Sequence, residues 1–270
     1  MDNMQNVANA ALDKQSVGGD LELAVSKETS NIKYVEGSKI MVIGVGGAGG
    51  NAVYHMQYNM GIKDVSFVAC NTDSKALEDC KAQNKIQLGK DGIGAGNDPS
   101  RGEQLAKESS AKIESFIKAS NAQIVFISAG MGGGTGTGAS PVIAQIAKNL
   151  GILTIAVVSL PLRYEGADRY KQAVEGVEKL NSIVDAMIVV DNEKVIDEYQ
   201  DLSLDEAMDK ANDILGLATR GISELTTMPK AKVRVDIADV KRVLKDSGRA
   251  HIAMVTVSSK EGPCMEAMKL

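Results

Sequence analysis

The sequence predicts an α/β domain built on a doubly wound, mostly parallel sheet. Three observations carry this expectation. Short runs such as VSFVAC (65–70) and LTIAVVS (153–159) are apolar at successive positions, so both faces of each strand must be covered. Segments of helical character alternate with them, as right-handed strand–helix–strand crossovers require. Two clusters of glycines each fall between a strand and a helix.

Residues 1–36 are polar, carry Gly18-Gly19 and show no sustained period, and are expected to form a mobile tail. KIMVIGV (39–45) is the first strand and stops at glycines; residues 51–58 follow as a helix. After VSFVAC come a helix at 102–119, the strand AQIVFIS (122–128), a glycine loop, a helix at 140–150 and LTIAVVS. A helix at 167–182 and the strand AMIVV (186–190) complete a domain spanning 37–200. Residues 205–226 place Ala207, Met208, Ala211, Ile214, Leu215, Ala218, Ile222 and Leu225 on a wide stripe of period 3.6, the mark of a long, largely buried helix that Pro229 ends. It forms a unit of its own over 201–228. Beyond it, 236–247 reads as a helix, HIAMVTVS (251–258) as a strand and 262–270 as the start of another helix. A strand and helix alone bury little apolar surface, so 229–270 is expected to be the start of a second α+β domain, cut short.

Composition narrows the function. Hydrophobic residues at 44% and charged residues at 24% exclude a fully disordered or fibrous chain. The formal charge is -5 with no cluster of Lys or Arg, which speaks against nucleic acid and anionic membrane as partners. The longest mostly apolar stretch, 151–162, is about half of the roughly 20 residues a spanning helix needs, so no membrane insertion is expected. Residues 1–15 lack a basic patch followed by an apolar core, which predicts a cytoplasmic protein with reduced thiols. Cys70, Cys80 and Cys264 are odd in number without CxxC spacing, and His55 and His251 are the only histidines, so neither a structural zinc site nor a histidine base is expected.

Glycine is the informative residue. In the first cluster, Gly44, Gly46 and Gly49 satisfy GxGxxG ahead of Gly50 and Asn51, a loop that brings backbone N–H groups close to phosphate oxygens at a helix N-terminus. Alone it suits a dinucleotide fingerprint, with Asp73 near the distance of a ribose-binding acid, or merely a tight turn. The second cluster, Gly132-Gly133-Gly134-Thr135-Gly136-Thr137-Gly138, holds five glycines in seven residues. Ordering it costs much backbone entropy and adds no side-chain packing, so it is read as a phosphate loop presenting N–H groups and the hydroxyls of Thr135 and Thr137. Neither cluster has the lysine of GxxxxGK[ST], which excludes a P-loop enzyme. Two anion loops on adjacent strand ends suggest a ligand with several phosphates.

IGVGGAGGNAV, NTD (71–73), GAGNDPSRG (94–102), GGGTGTG and VDIADV (235–240), in this order and spacing across 40–255, resemble the tubulin/FtsZ GTPase family. The resemblance implies a tubulin-like GTPase domain over 37–200 that binds GTP or GDP, with Mg²⁺ held through the phosphates rather than by protein ligands. It implies phosphate contacts from Gly46, Gly47, Ala48, Gly49, Gly50 and Asn51 and from Gly132, Gly133, Gly134, Thr135, Gly136, Thr137 and Gly138. Asn71, Asp73, Pro161, Glu165 and Arg169 would hold the ribose and nucleotide, and the loop 97–101 would sense the γ-phosphate. Asn192 and Asp213 would read guanine, although spacing alone favours a solvated helix position for Asp213. Met208 stands where an aromatic stacking on the base is expected, which weakens that contact.

Asp236 and Asp239 lie three apart at a helix start, on one face, where a helix N-terminus favours their ionised form; helix capping alone would account for them. The resemblance makes them the catalytic carboxylates, acting in the nucleotide site of the next subunit of a head-to-tail homopolymer. Hydrolysis would then switch on with assembly, at the division site and beside other division proteins. Arg234 replaces the usual asparagine of that loop. Two other readings are a GTP-binding fragment or regulator that does not polymerise, and a nicotinamide-dependent oxidoreductase using only the first glycine loop.

Overall fold

The computed structural model describes residues 34–35, 37–227 and 235–251. The expected tail, the strand at 251–258, the final half-helix, Arg234 and Cys264 fall outside or almost wholly outside the described residues. Within them, seven parallel strands form one sheet in the order β3-β2-β1-β4-β5-β6-β7. The strands are β1 (Ile40–Val45), β2 (Val65–Asn71), β3 (Lys85–Gln87), β4 (Ile124–Gly130), β5 (Leu153–Leu160), β6 (Ala186–Asp191) and β7 (Gly248–Arg249).

Every residue of β1 and β2 is buried, as a sheet covered on both faces demands. Alternation along one strand supplies two cores. Met41, Ile43 and Val45 of β1 join Val125 and Ile127 of β4 on one face, under α3 (Pro99–Glu108), α4 (Ser110–Ala119), α5 (Gly134–Asn149) and α6 (Ala167–Asn181). Ile40 and Val42 join Ile124 and Phe126 on the other, covered by α1 (Gly46–Tyr54), α2 (Ser74–Asp79), α8 (Leu204–Thr227) and α9 (Ile237–Leu244). A short helix α7 (Asn192–Glu198) follows β6.

The structure departs from the sequence reading at the helix starts. Helix α1 begins at Gly46 rather than Asn51 and continues as a π-helical turn, His55–Asn59. Helix α5 begins at Gly134 rather than Ser140. Both glycine clusters are therefore largely first turns of helices, where tertiary packing overrides glycine's poor helix propensity. The expected helix at 102–119 is two helices that meet at Ser109. There the Ser109 hydroxyl accepts from the N–H of Gly89 (2.8 Å) and Ser110 bonds back to the Lys107 carbonyl (2.6 Å), breaking the ladder.

Candidate functional site

In this strand order the chain leaves β1 toward one edge of the sheet and β4 toward the other. Ligands of such sheets sit at that switch point, outside the carboxyl ends of the strands. A cleft of about 590 Å³ lies there. Its walls follow the strand ends: Val45 from β1, Asn71 from β2, Gly130 from β4, Leu160 from β5 and Asn192 after β6.

Gly46, Gly47 and Ala48 of α1 line the cleft, as do Gly133, Gly134, Thr135 and Gly136 at the start of α5. Neither helix has a side-chain cap or an acidic residue in its first turn. By contrast, α2, α3, α7 and α9 are each capped by an aspartate, Asp73, Asp98, Asp191 and Asp236. The first-turn N–H groups of α1 and α5 thus meet no side-chain acceptor, and two helix dipoles present positive ends to one space. A side chain on Gly47 would meet no atom within 4 Å. Arg169 is the one cation lining the cleft among the described residues, and Glu165 already pairs with it at 2.8 Å. Attraction for an anion therefore comes mainly from the backbone.

The other glycines serve packing. A Cβ on Gly49 would run into the carbonyl of Ser128, one on Gly136 into the carbonyl of Gly130 and one on Gly138 into the carbonyl of Pro99. Gly138 and Gly102 thereby let α3 lie directly on α5. The second cluster, read from the sequence as a phosphate loop, therefore also has a packing role. Thr137 is corrected: its hydroxyl accepts from the N–H of Gly132 (2.7 Å) inside the loop, whereas Thr135 faces the cleft, 2.6 Å from the Thr72 hydroxyl. Gly50 and Asn51 line an adjoining cavity behind Gly46 and Gly47.

On the remaining wall stand Asp73, Pro161, Glu165, Arg169, Asn192 and Met208. Asp73 Oδ1 accepts from the N–H of Ala76 (2.9 Å), and Glu165 accepts from the N–H of Leu162 (2.8 Å) while pairing with Arg169. Asn192 Oδ1 and Arg169 Nε are buried without a protein partner, polar atoms that call for a ligand or water. Asp213 lies away from this wall. Its Oδ1 is 2.7 Å from His55 Nε2 and its Oδ2 is 3.3 Å from Lys210 Nζ. Partial burial raises its pKa, and these hydrogen bonds outweigh that and hold it below the ordinary carboxylate value. The residue on the Met208 face of α8, four positions on, is Asn212.

Asp236 and Asp239 do not line the cleft. Asp236 Oδ1 accepts from the Asp239 N–H (2.9 Å) and Asp239 Oδ2 from the Asp236 N–H (3.1 Å), a reciprocal cap on α9. The sequence reading assigned no contact to Thr72, Ser159 or residues 93–96 of the turn that ends at Asn97, all of which line the cleft. In that turn Gly94, Gly96 and Asn97 adopt left-handed backbone conformations (φ 89°, 60° and 61°), and its glycines and asparagine were the legible signal.

Comparison with known proteins agrees with this geometry. The GTPase domain of the Tubulin/FtsZ family matches residues 39–200. The chain is 44% identical over 227 residues to the cell division protein FtsZ of Porphyromonas gingivalis, covering 83% of this chain and 49% of that protein. It is 44% identical to FtsZ of Aquifex aeolicus, over 82% of this chain and 60% of that one. An FtsZ dimer structure from M. jannaschii superposes with a TM-score of 0.72 at 40% identity, over 86% of this chain and 65% of that one. A GTPgS-bound protofilament of CetZ2 from Haloferax volcanii gives 0.65 at 26% identity. The chain thus spans about half to three-fifths of the curated relatives it matches. On its sequence motifs, its sheet order and the match across residues 39–200, the chain belongs to the tubulin/FtsZ family.

Proposed function

We propose that the chain binds GTP in this cleft and hydrolyses it when two copies associate head to tail, as part of a division filament. The observation that carries this reading is the pair of uncapped helix N-termini, α1 and α5, aimed into one cleft at the switch point of the sheet. Backbone N–H groups at Gly46–Ala48 and Gly134–Gly136 would bind phosphate oxygens, with Thr135 adding a hydroxyl and the turn holding Asn97 closing over the far end. Mg²⁺ would ride on the phosphate oxygens and offset their charge.

Base selection falls to Asn192 and Asn212, in place of Asp213, which His55 and Lys210 already engage. A carboxamide oxygen accepts from the guanine N1–H or 2-amino group, donors that adenine lacks at those positions. Met208 packs on the base face. The reciprocal cap leaves Asp236 and Asp239 exposed at one end of α9, and a neighbouring copy's pair would polarise the attacking water. Partnership with other division proteins, and a place at the division site, follow only by analogy with the relatives.

Turnover tests the shared site. Phosphate release per subunit should rise with protein concentration, and Asp239→Ala should abolish that rise while GTP affinity is kept. Turnover independent of concentration and unchanged in Asp239→Ala would refute the assignment of the two carboxylates and leave a nucleotide-binding chain that does not assemble.

A further inference from the structure

The contact between His55 and Asp213 joins the two helices that would hold opposite ends of the nucleotide. Helix α1 opens at Gly46 in the cleft, and its π-helical continuation delivers His55 nine residues later, about 14 Å along the axis. Helix α8 carries Met208 in the cleft wall and Asn212 one turn on. Between these helices His55 is buried, at 6% exposure, with both ring nitrogens engaged. Asn59 Nδ2 lies 3.0 Å from Nδ1 and Asp213 Oδ1 lies 2.7 Å from Nε2. An ionised carboxylate only accepts, so the ring donates its Nε2–H to Asp213. Asp209, also on α8, stands 3.8 Å from Nδ1.

The same face of α8 continues along the chain that follows. Gly216 lies so close to Met56 and Met60 that a Cβ there would collide with the Met60 sulfur, and Ser223 donates to the Lys63 carbonyl (3.1 Å). The apolar contacts hold the helices together, while the one charged hydrogen bond nearest the cleft fixes their axial register. A rotation of α8 by one residue is about 100° and would carry Met208 off the wall.

We infer that His55 and Asp213 are a positioning pair: they set the base-facing side of α8 against the phosphate-facing start of α1, and so govern how well one nucleotide spans both. This rests on the reading of the cleft as a guanine-nucleotide site. The π-helical turn that carries His55 supports it, since such turns are frequent at functional sites.

Calorimetric titration with GTP and with inorganic tripolyphosphate, the latter touching only the phosphate end, separates positioning from general stability. Asp213→Ala should weaken GTP about tenfold or more, the effect of losing a hydrogen bond to a charged group, and leave tripolyphosphate affinity within about twofold. Asp213→Asn, which keeps an acceptor for Nε2–H, should restore most of the GTP affinity. Parallel loss of both ligands in Asp213→Ala, or an unchanged affinity for GTP, would overturn the positioning role. A wild-type chain that binds neither ligand would instead bring down the nucleotide reading, and this inference with it.

Discussion

At residue scale the site is governed by which atoms already have partners. Met208 lines the cleft where an aromatic ring would stack, and Met208→Tyr should tighten GTP by about 0.5–1.5 kcal/mol, read by titration of the two proteins side by side. Gly138 tests the opposite role of a glycine. Its Cβ would enter the Pro99 carbonyl, so Gly138→Ala should push α3 off α5 and cost at least about 2 kcal/mol in urea unfolding. The glycine side of the cleft was legible because glycine clusters at strand ends mark close backbone approach, although the approach at Gly49 and Gly138 is to neighbouring backbone. Asp213 was misplaced for a reason of geometry: one residue along a helix is about 100° of rotation, and the 3.6-residue stripe of α8 marks the buried face without saying which polar neighbour meets the cleft and which meets His55. Nothing in the sequence tells that Thr137 turns inward to Gly132 while Thr135 does not.

At the scale of elements, the sheet strands were legible almost to their ends because both faces are buried and their composition is uniformly apolar. The short elements α2, β3 and α7 were not, since three to seven residues give no measurable period and the aspartate caps of α2 and α7 look like any loop. The joint between α9 and the sheet rests on Asp185, just before β6. It accepts from Lys148 Nζ of α5 (2.8 Å), from the Thr154 N–H of β5 (2.9 Å) and from the Asp246 N–H (3.3 Å). Burial alone would raise the Asp185 pKa, yet these donors hold it below the ordinary carboxylate value, and the hydrogen bond to Asp185 raises that of Lys148. Asp185 therefore stabilises the fold above pH about 4, and that share is lost as the pH falls through its lowered folded pKa. Lys148 contributes below about pH 10.4, and its share is lost as the pH rises past its raised value. Asp185→Ala should cost about 2–4 kcal/mol at neutral pH, with the gap to wild type narrowing in acid, measured by urea unfolding across that range.

For the whole molecule, sheet order matters more than any single motif. The order 3-2-1-4-5-6 also serves dinucleotide-binding proteins, and GxGxxG alone would fit a nicotinamide site. The second helix that starts uncapped in glycine, α5, has no use there; two converging N-termini suit a chain of phosphates. The fold class was thus readable from the sequence, whereas the strand order that makes the switch point was not. The proposed hydrolysis between copies rests on the family resemblance alone, because within one chain Asp236 and Asp239 satisfy each other as a helix cap.

The most direct measurement is calorimetric binding of GTP and ATP, with Mg²⁺, to the wild-type chain and to Gly47→Asp. An aspartate at Gly47 has open space and places a negative charge in the first turn of α1, so it should keep or raise thermal stability while offsetting the positive helix end that the ligand would meet. The wild type should bind GTP well ahead of ATP, and Gly47→Asp should lose GTP with its melting temperature undiminished. GTP bound equally by both proteins, or by neither, would contradict a phosphate site at the start of α1.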